Sequence, residues 1–275
     1  MPGSKSLVPS VPWVARETAR LVSFLHALDE EAWRRPSFCP GWTAAHVAGH
    51  MAGGAESYAI RIEAAREGRT VIPFGSGDEE TFQARRAAII EEVVASPPEA
   101  RVARFEESAN RLQAALESLR PEDLDRRVWH RRGEIPLRQL PDQRLFEVVL
   151  HGWDIRNAPA APLPPDALGV MARILEYRLP LYFNRSGRMN FSGAFRFETA
   201  TPAHAWGMDI RENRAAPCPP EGRDFAARLF APASDMVLLA TGRADPAAKE
   251  RAGALRIEGD RARAGALMGI LFRPY

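Results

Sequence analysis

A chain of 275 residues exceeds one ordinary domain, and 45% hydrophobic with 26% charged residues is the balance of a folded protein, not of a disordered or fibrous one. The net charge of +2 is spread over interleaved acids and bases, which argues against both a nucleic-acid-binding face and a polybasic membrane patch. No run approaches the ~18 apolar residues of a membrane span, the start up to Leu7 lacks the apolar core of an export signal, and Cys39 and Cys218 stand far apart; the expectation is a cytoplasmic protein with no membrane or nucleic-acid partner.

Residues 12–29 carry Val14, Leu21, Leu25 and Leu28 at helical spacing and read as one amphipathic helix. Pro36, Pro40 and Gly41 break the pattern, and Thr43 is placed to cap a long helix running to about Gly68. Residues 69–78 read as loop and 79–95 as a shorter helix, stopped by Pro97 and Pro98. A third long helix follows over 99–119, with Val102, Phe105, Ala109, Leu112 and Leu116 on its buried face. After an irregular excursion over 122–136, residues 137–157 form the last long helix of this half, interrupted early by Pro141. Four long amphipathic helices joined by loops of mixed length predict an antiparallel bundle, in which facing helices can assemble a polar or metal site.

The proline-rich run 158–165 reads as a linker, since prolines deny helix continuation and favour an extended spacer. It places a helical domain over 1–158 and a second domain over 159–275. That second half reads as α+β: a helix over 166–183, alternating strands over 194–199 and 205–210, a helix opened by Ser234-Asp235, a strand over 255–258 and a closing helix over 260–272.

Chemistry concentrates in the first half. Glu147 and His151 are four residues apart, so they project from one helical face, and they sit among Phe146, Val148, Val149 and Leu150, where an unpaired carboxylate is costly to bury. His46 and His50 share the same spacing near the start of the second long helix. Together these four are zinc or nickel ligand types, whereas a paired-iron site would need more carboxylates and Glu-x-x-His spacing. Cys39 reads as a further ligand, a redox thiol or a small buried hydrophobe, and Trp42 and Trp153 as bundle packing. His26, His130 and His204 receive no role.

The run Pro36-Ser37-Phe38-Cys39-Pro40-Gly41-Trp42-Thr43-Ala44-Ala45-His46-Val47-Ala48-Gly49-His50 resembles the hallmark of the mycothiol-dependent maleylpyruvate isomerase family. Glu147-Val148-Val149-Leu150-His151-Gly152-Trp153-Asp154 resembles its second motif, and residues 231–243, ending in Gly242-Arg243, resemble a helix of its second domain. The resemblance implies an α+β protein with an N-terminal DinB-like four-helix bundle followed by a small α/β sterol-carrier-like domain. It implies a divalent metal, usually zinc, on His50, Glu147 and His151, with His46 outside the ligand set. It also implies mycothiol or a related thiol as cofactor and a catalytic role for Arg243, whose spacing fits a helix C-cap nearly as well. Three protein ligands leave a coordination position open, the mark of a catalytic site. The implied chemistry is addition of a thiolate to a cis double bond, rotation and elimination, or S-transfer onto another small electrophile. The alternative is a non-catalytic metal-containing binding protein with an apolar ligand in its C-terminal domain.

Overall fold

The computed structural model describes residues 7–131 and 133–273; the stretch before Leu7, read above for an export signal, lies outside the described residues. The chain divides into two compact units, Met1–Ala161 and Pro162–Tyr275, with the division inside the proline-rich run. Among the described residues no helix is long and apolar enough to cross a membrane.

The first unit is helical: α1 (Val11–His26), α2 (Glu30–Arg34), α3 (Ala44–Arg66), α4 (Glu79–Ala95), α5 (Pro98–Glu117) and α6 (Leu140–Arg156). Helix α3 packs against α4, α5 and α6, and α1 packs against α5 and α6, so α3 is the central member of the bundle. It is buried nearly all round, from Ala44, Val47 and Ala48 through Met51 and Ala55 to Ile62, which is why it shows no single apolar stripe. Leu21, Leu25, Trp33, Ala48, Met51, Phe105 and Val148 belong to one contiguous core.

Three local differences from the sequence reading have identifiable causes. The first helix stops at His26, not 29, because Asp29 caps a separate short helix, its side chain accepting the Ala32 N–H at 2.7 Å, and that helix buries Trp33 completely. The excursion over 122–136 contains a short antiparallel hairpin, β1 (Arg127–Val128) with β2 (Ile135–Pro136). Helix α6 begins at Leu140 after a 3₁₀ turn, with Pro141 in its first turn, where a missing N–H breaks no helical hydrogen bond.

The second unit is α+β. Helix α7 (Leu168–Arg185) precedes β3 (Gly193–Ala200), β4 (Ala203–Arg211), β5 (Arg214–Cys218) and β6 (Ala227–Ala231). Then come α8 (Ala233–Ala240), α9 (Pro246–Arg251), β7 (Arg256–Gly259) and α10 (Arg261–Leu271). The five-stranded sheet has the order β5-β4-β3-β6-β7, with β3 and β6 parallel at its centre and the other pairs antiparallel. Phe195, Phe197, Trp206, Met208 and Leu229 are fully buried on it. Strands β5 and β6 escaped the sequence reading because Arg-Ala-Ala-Pro-Cys and Ala-Arg-Leu-Phe-Ala carry few of the β-branched and aromatic residues that signal a strand.

Candidate metal centre

Glycines on α3 set how closely its neighbours approach. A Cβ at Gly49 would lie 3.0 Å from the Ile90 Cα, and one at Gly53 would lie 3.2 Å from the Ile89 side chain, so α4 comes against bare backbone on α3. That close approach brings Arg86 of α4 onto His50 of α3.

The loop before α3 is stapled to the end of α6. The Phe38 N–H donates to the Asp154 carbonyl at 2.9 Å, the Asn157 side-chain amide donates to the Pro36 carbonyl at 3.1 Å, and the Phe38 ring meets Trp153 edge-on at 4.8 Å. Within the loop, the Ser37 N–H and hydroxyl both donate to the Trp42 carbonyl at 2.8 Å, and Gly41 turns the chain at φ +77°. The loop thereby delivers Cys39 to Asp154 and the Trp42 ring to 5.4 Å from His50.

His50 and His151 meet with ring centroids 4.7 Å apart and planes at 84°. The Nδ1 of His151 lies 2.8 Å from Oδ2 of Asp154, a carboxylate with no solvent exposure. A carboxylate accepts, so Nδ1 carries the proton and Nε2 keeps its lone pair for another partner. Burial first, then the neighbouring charges of His151, Arg86 and Arg144, hold His50 well below the ordinary imidazole range, so this ring is neutral at pH 7. Its Nδ1 accepts from Arg86 Nη2 at 2.6 Å, and Arg86 Nη1 donates to Gln83 Oε1 at 3.1 Å.

Glu147 lies one turn before His151 on α6. The Tyr58 hydroxyl donates to its Oε1 at 3.0 Å, and Arg144 Nη1 donates to its Oε2 at 3.4 Å. Burial and the Glu147 charge push the Tyr58 phenol far up, so it stays a hydrogen-bond donor. Arg144 is 1% exposed, and its Nη1 also donates to the Met51 carbonyl at 3.1 Å, while its Nε and Nη2 find no hydrogen-bond partner among the described residues. Arg61, also buried, is held by the Ser57 carbonyl and hydroxyl and the Trp129 carbonyl, with its guanidinium 4.4 Å from the Tyr58 ring centroid.

His46 is occupied elsewhere. Its Nδ1 accepts from the Thr43 N–H at 3.3 Å and lies 2.7 Å from the Thr43 hydroxyl, so it closes a capping box at the start of α3. Cys39, partly buried, places its Sγ 3.4 Å from Asp154 Oδ2 and 4.0 Å from His151 Nδ1. Cys39, His151 and Asp154 are a group whose candidate ligand atoms all lie within 4.8 Å of one another. Arg243 belongs to the second unit, in the turn that ends α8: its N–H donates to the Leu238 carbonyl at 2.8 Å and its Nη1 to the Thr241 carbonyl at 3.4 Å. Sequence reasoning gave no role to Asp154, Tyr58, Arg86 or Arg144. The carboxylate three residues after His151 was the available signal for Asp154, whereas the other three become visible only when the helices are packed.

The fold and its histidine–carboxylate cluster define a two-unit α+β protein whose helical unit presents ligands of metal-binding type. Residues 14–156 match the model of the mycothiol maleylpyruvate isomerase N-terminal domain, and residues 184–272 match the SCP-2 sterol transfer family. The chain belongs to the mycothiol maleylpyruvate isomerase family. Among solved structures, the mycothiol-dependent maleylpyruvate isomerase aligns with a TM-score of 0.62 at 18% identity, over 86% of this chain and 88% of that one. A histidine-to-alanine variant of the same enzyme aligns at 0.64 and 17% identity, over 90% and 91%. At such identity the likeness is one of fold. No curated protein sequence matches this chain.

Proposed function

We propose that the chain is a metal-dependent enzyme which uses a low-molecular-weight thiol, mycothiol by family membership, for cis-trans isomerisation of a small electrophile or for transfer of the thiol sulfur onto it. The observation that carries the reading is the His151–Asp154 hydrogen bond. It reproduces the carboxylate–histidine arrangement that orients metal-ligating imidazoles, and it leaves Nε2 of His151 available beside a second, neutral imidazole. Two imidazoles and one carboxylate, His50, Glu147 and His151, would suit a zinc-like divalent ion and leave a coordination position open, and the helices would have to draw the three together around it, since the ligand atoms gathered within 4.8 Å among the described residues are those of Cys39, His151 and Asp154. A cation there supplies Lewis acidity that favours the thiolate form of a bound thiol near neutral pH.

The chain's own groups would then divide the remaining work. Asp154 fixes the tautomer and direction of His151, Tyr58 and Arg144 orient the Glu147 carboxylate, and Trp42 covers one side of His50. Arg243 is proposed to hold a substrate carboxylate or developing enolate charge. A ligand set of Cys39, His151 and Asp154 would use the opposite nitrogen of His151, the one already donating to Asp154, and is disfavoured on that ground.

Cobalt substitution tests the assignment. A sulfur-to-cobalt charge-transfer band that arises only on titration with a small thiol supports the open three-ligand site. A band present before any thiol is added, and lost in Cys39→Ser, would transfer the metal to the cysteine set. Failure of His50→Ala, Glu147→Ala and His151→Ala each to lose metal would sink the reading.

A further inference from the structure

Three aromatic rings gather where the loop before α4 meets the β1–β2 hairpin, the two segments being tied by the Thr70 hydroxyl, which donates to the Arg127 carbonyl at 3.3 Å. Trp129, which follows β1, meets the Phe82 ring of α4 edge-on at 4.9 Å, and Phe82 stacks on Phe74 with centroids 5.9 Å apart and planes at 12°. Phe82 is buried, whereas Phe74 and Trp129 are each partly exposed, so the group keeps a side open to a ligand.

Two arms tie these rings to the histidine–carboxylate cluster. On α4, Phe82 lies one turn before Arg86, whose Nη2 donates to His50. On α3, Arg61 donates to the Trp129 carbonyl at 3.2 Å and covers the Tyr58 ring, and the Tyr58 hydroxyl donates to Glu147. The arms close into a circuit, because Glu147 and His151 are one turn apart on α6 and His151 meets His50. The rings therefore stand beside the cluster, displaced along α4 by one turn, about 5–6 Å.

Phe74 is held in a costly conformation. Its φ of +63° puts a bulky side chain in the left-handed region, which glycine adopts freely and phenylalanine rarely does. Strained positions of this kind cluster at ligand-contacting segments, and here the strain accompanies a ring laid nearly parallel to Phe82. Aromatic faces and edges select by shape: a flat apolar group gains stacking as well as burial, where a saturated group gains burial alone.

We propose that Phe74, Phe82 and Trp129 form the specificity-determining wall of the site, and that they favour an electrophile with a flat apolar substituent, an aryl group being the type, about one helical turn from its reacting carbon. The inference rests on the enzyme reading above for the nature of the ligand and on the rings alone for its shape.

Binding to the full chain, with no thiol or metal added, tests the wall apart from the chemistry. The probes are 4-phenylbutan-2-one and pentan-2-one, unreactive ketones that differ by phenyl against methyl. The reporter is fluorine NMR of protein labelled with 5-fluorotryptophan, the Trp129 resonance being assigned by its loss in Trp129→Phe. That resonance should move on titration with the phenyl ketone, whose affinity should exceed that of pentan-2-one on the order of tenfold, as expected for partial burial of the added apolar area. Phe74→Gly, which suits the left-handed backbone, and Trp129→Leu should each lower the preference severalfold and leave pentan-2-one binding unchanged. A Trp129 resonance that ignores the phenyl ketone, equal affinities for the two ketones, or a preference unchanged in both variants would overturn the wall. Equally tight binding of 4-cyclohexylbutan-2-one, similar in bulk but not flat, would overturn the selection by shape. The expected binding in a chain that shows no thiol-dependent turnover would instead overturn the enzyme reading and leave the wall in place.

Discussion

Asp154 shows how a residue remote from solvent can govern a site. It lies between the Cys39 thiol and the His151 imidazole, with no exposed surface of its own. Asp154→Asn keeps the shape and removes the charge that fixes the His151 tautomer; it should weaken metal affinity about 10- to 100-fold in chelator competition while the chain still folds. His50 carries the pH dependence. Because its folded pKa is depressed below the ordinary 6.5, the unfolded chain binds a proton that the folded chain refuses as pH falls. Stability of the metal-free protein should be fully present above that value and decline below it, through the lower folded pKa. Urea unfolding at about pH 7.5 and about pH 5.5 should show this loss, and His50→Gln should remove its share. The pairing of Glu147 with His151 was legible in the sequence because helical spacing alone puts them on one face. His46 and His50 were both candidates by their spacing, and the family resemblance chose His50 between them. Arg86 was not legible, since its partner is chosen by the distance between two helices.

Helix α3 sets that distance. A methyl group at Gly49 would press on the backbone of α4, whereas one at Gly54 would meet Arg144 Nη1 at 3.5 Å and Glu147 Oε2 at 3.6 Å, ordinary contacts. Gly49→Ala should therefore cost about 1–3 kcal/mol through overpacking, read by urea unfolding. Gly54→Ala should be close to neutral or gain up to about 1 kcal/mol from helix propensity. Equal outcomes at the two positions would contradict the packing described. The sequence reading placed the long helices by their periodicity, caps and prolines, and it placed 79–95 as helix within the same residues the structure shows. It missed α2 because five residues are too few to display a period, and it let α1 run on to 29 because the Asp29 cap was not recognised.

On the scale of the whole molecule, the proline-rich run was the plainest signal of organisation, and the structure divides inside it at Ala161. The sheet of the second unit was only half legible: β3 and β4 alternate clearly, while β5 and β6 are short and rich in alanine. A fragment ending at Ala161 contains every proposed metal ligand and lacks Arg243. It should fold, bind zinc as tightly as the full chain and fail in thiol-dependent turnover. Full-length Arg243→Ala should share that split, with metal retained and turnover lost. Turnover surviving in both would remove Arg243 from the chemistry.

The staple between the loop before α3 and the end of α6 also has a kinetic meaning. Cys39 and Asp154 are separated by 115 residues, so the surroundings of His151 form only when nearly the entire first unit has closed on itself. Contacts of such long range are entropically expensive to form early in folding. A cation that needs both histidines would find no partner in the early folding ensemble and would act chiefly on the finished state. Stopped-flow measurements should show zinc slowing unfolding while leaving the folding rate nearly unchanged, so that the metal works as a late clasp and not as a nucleus.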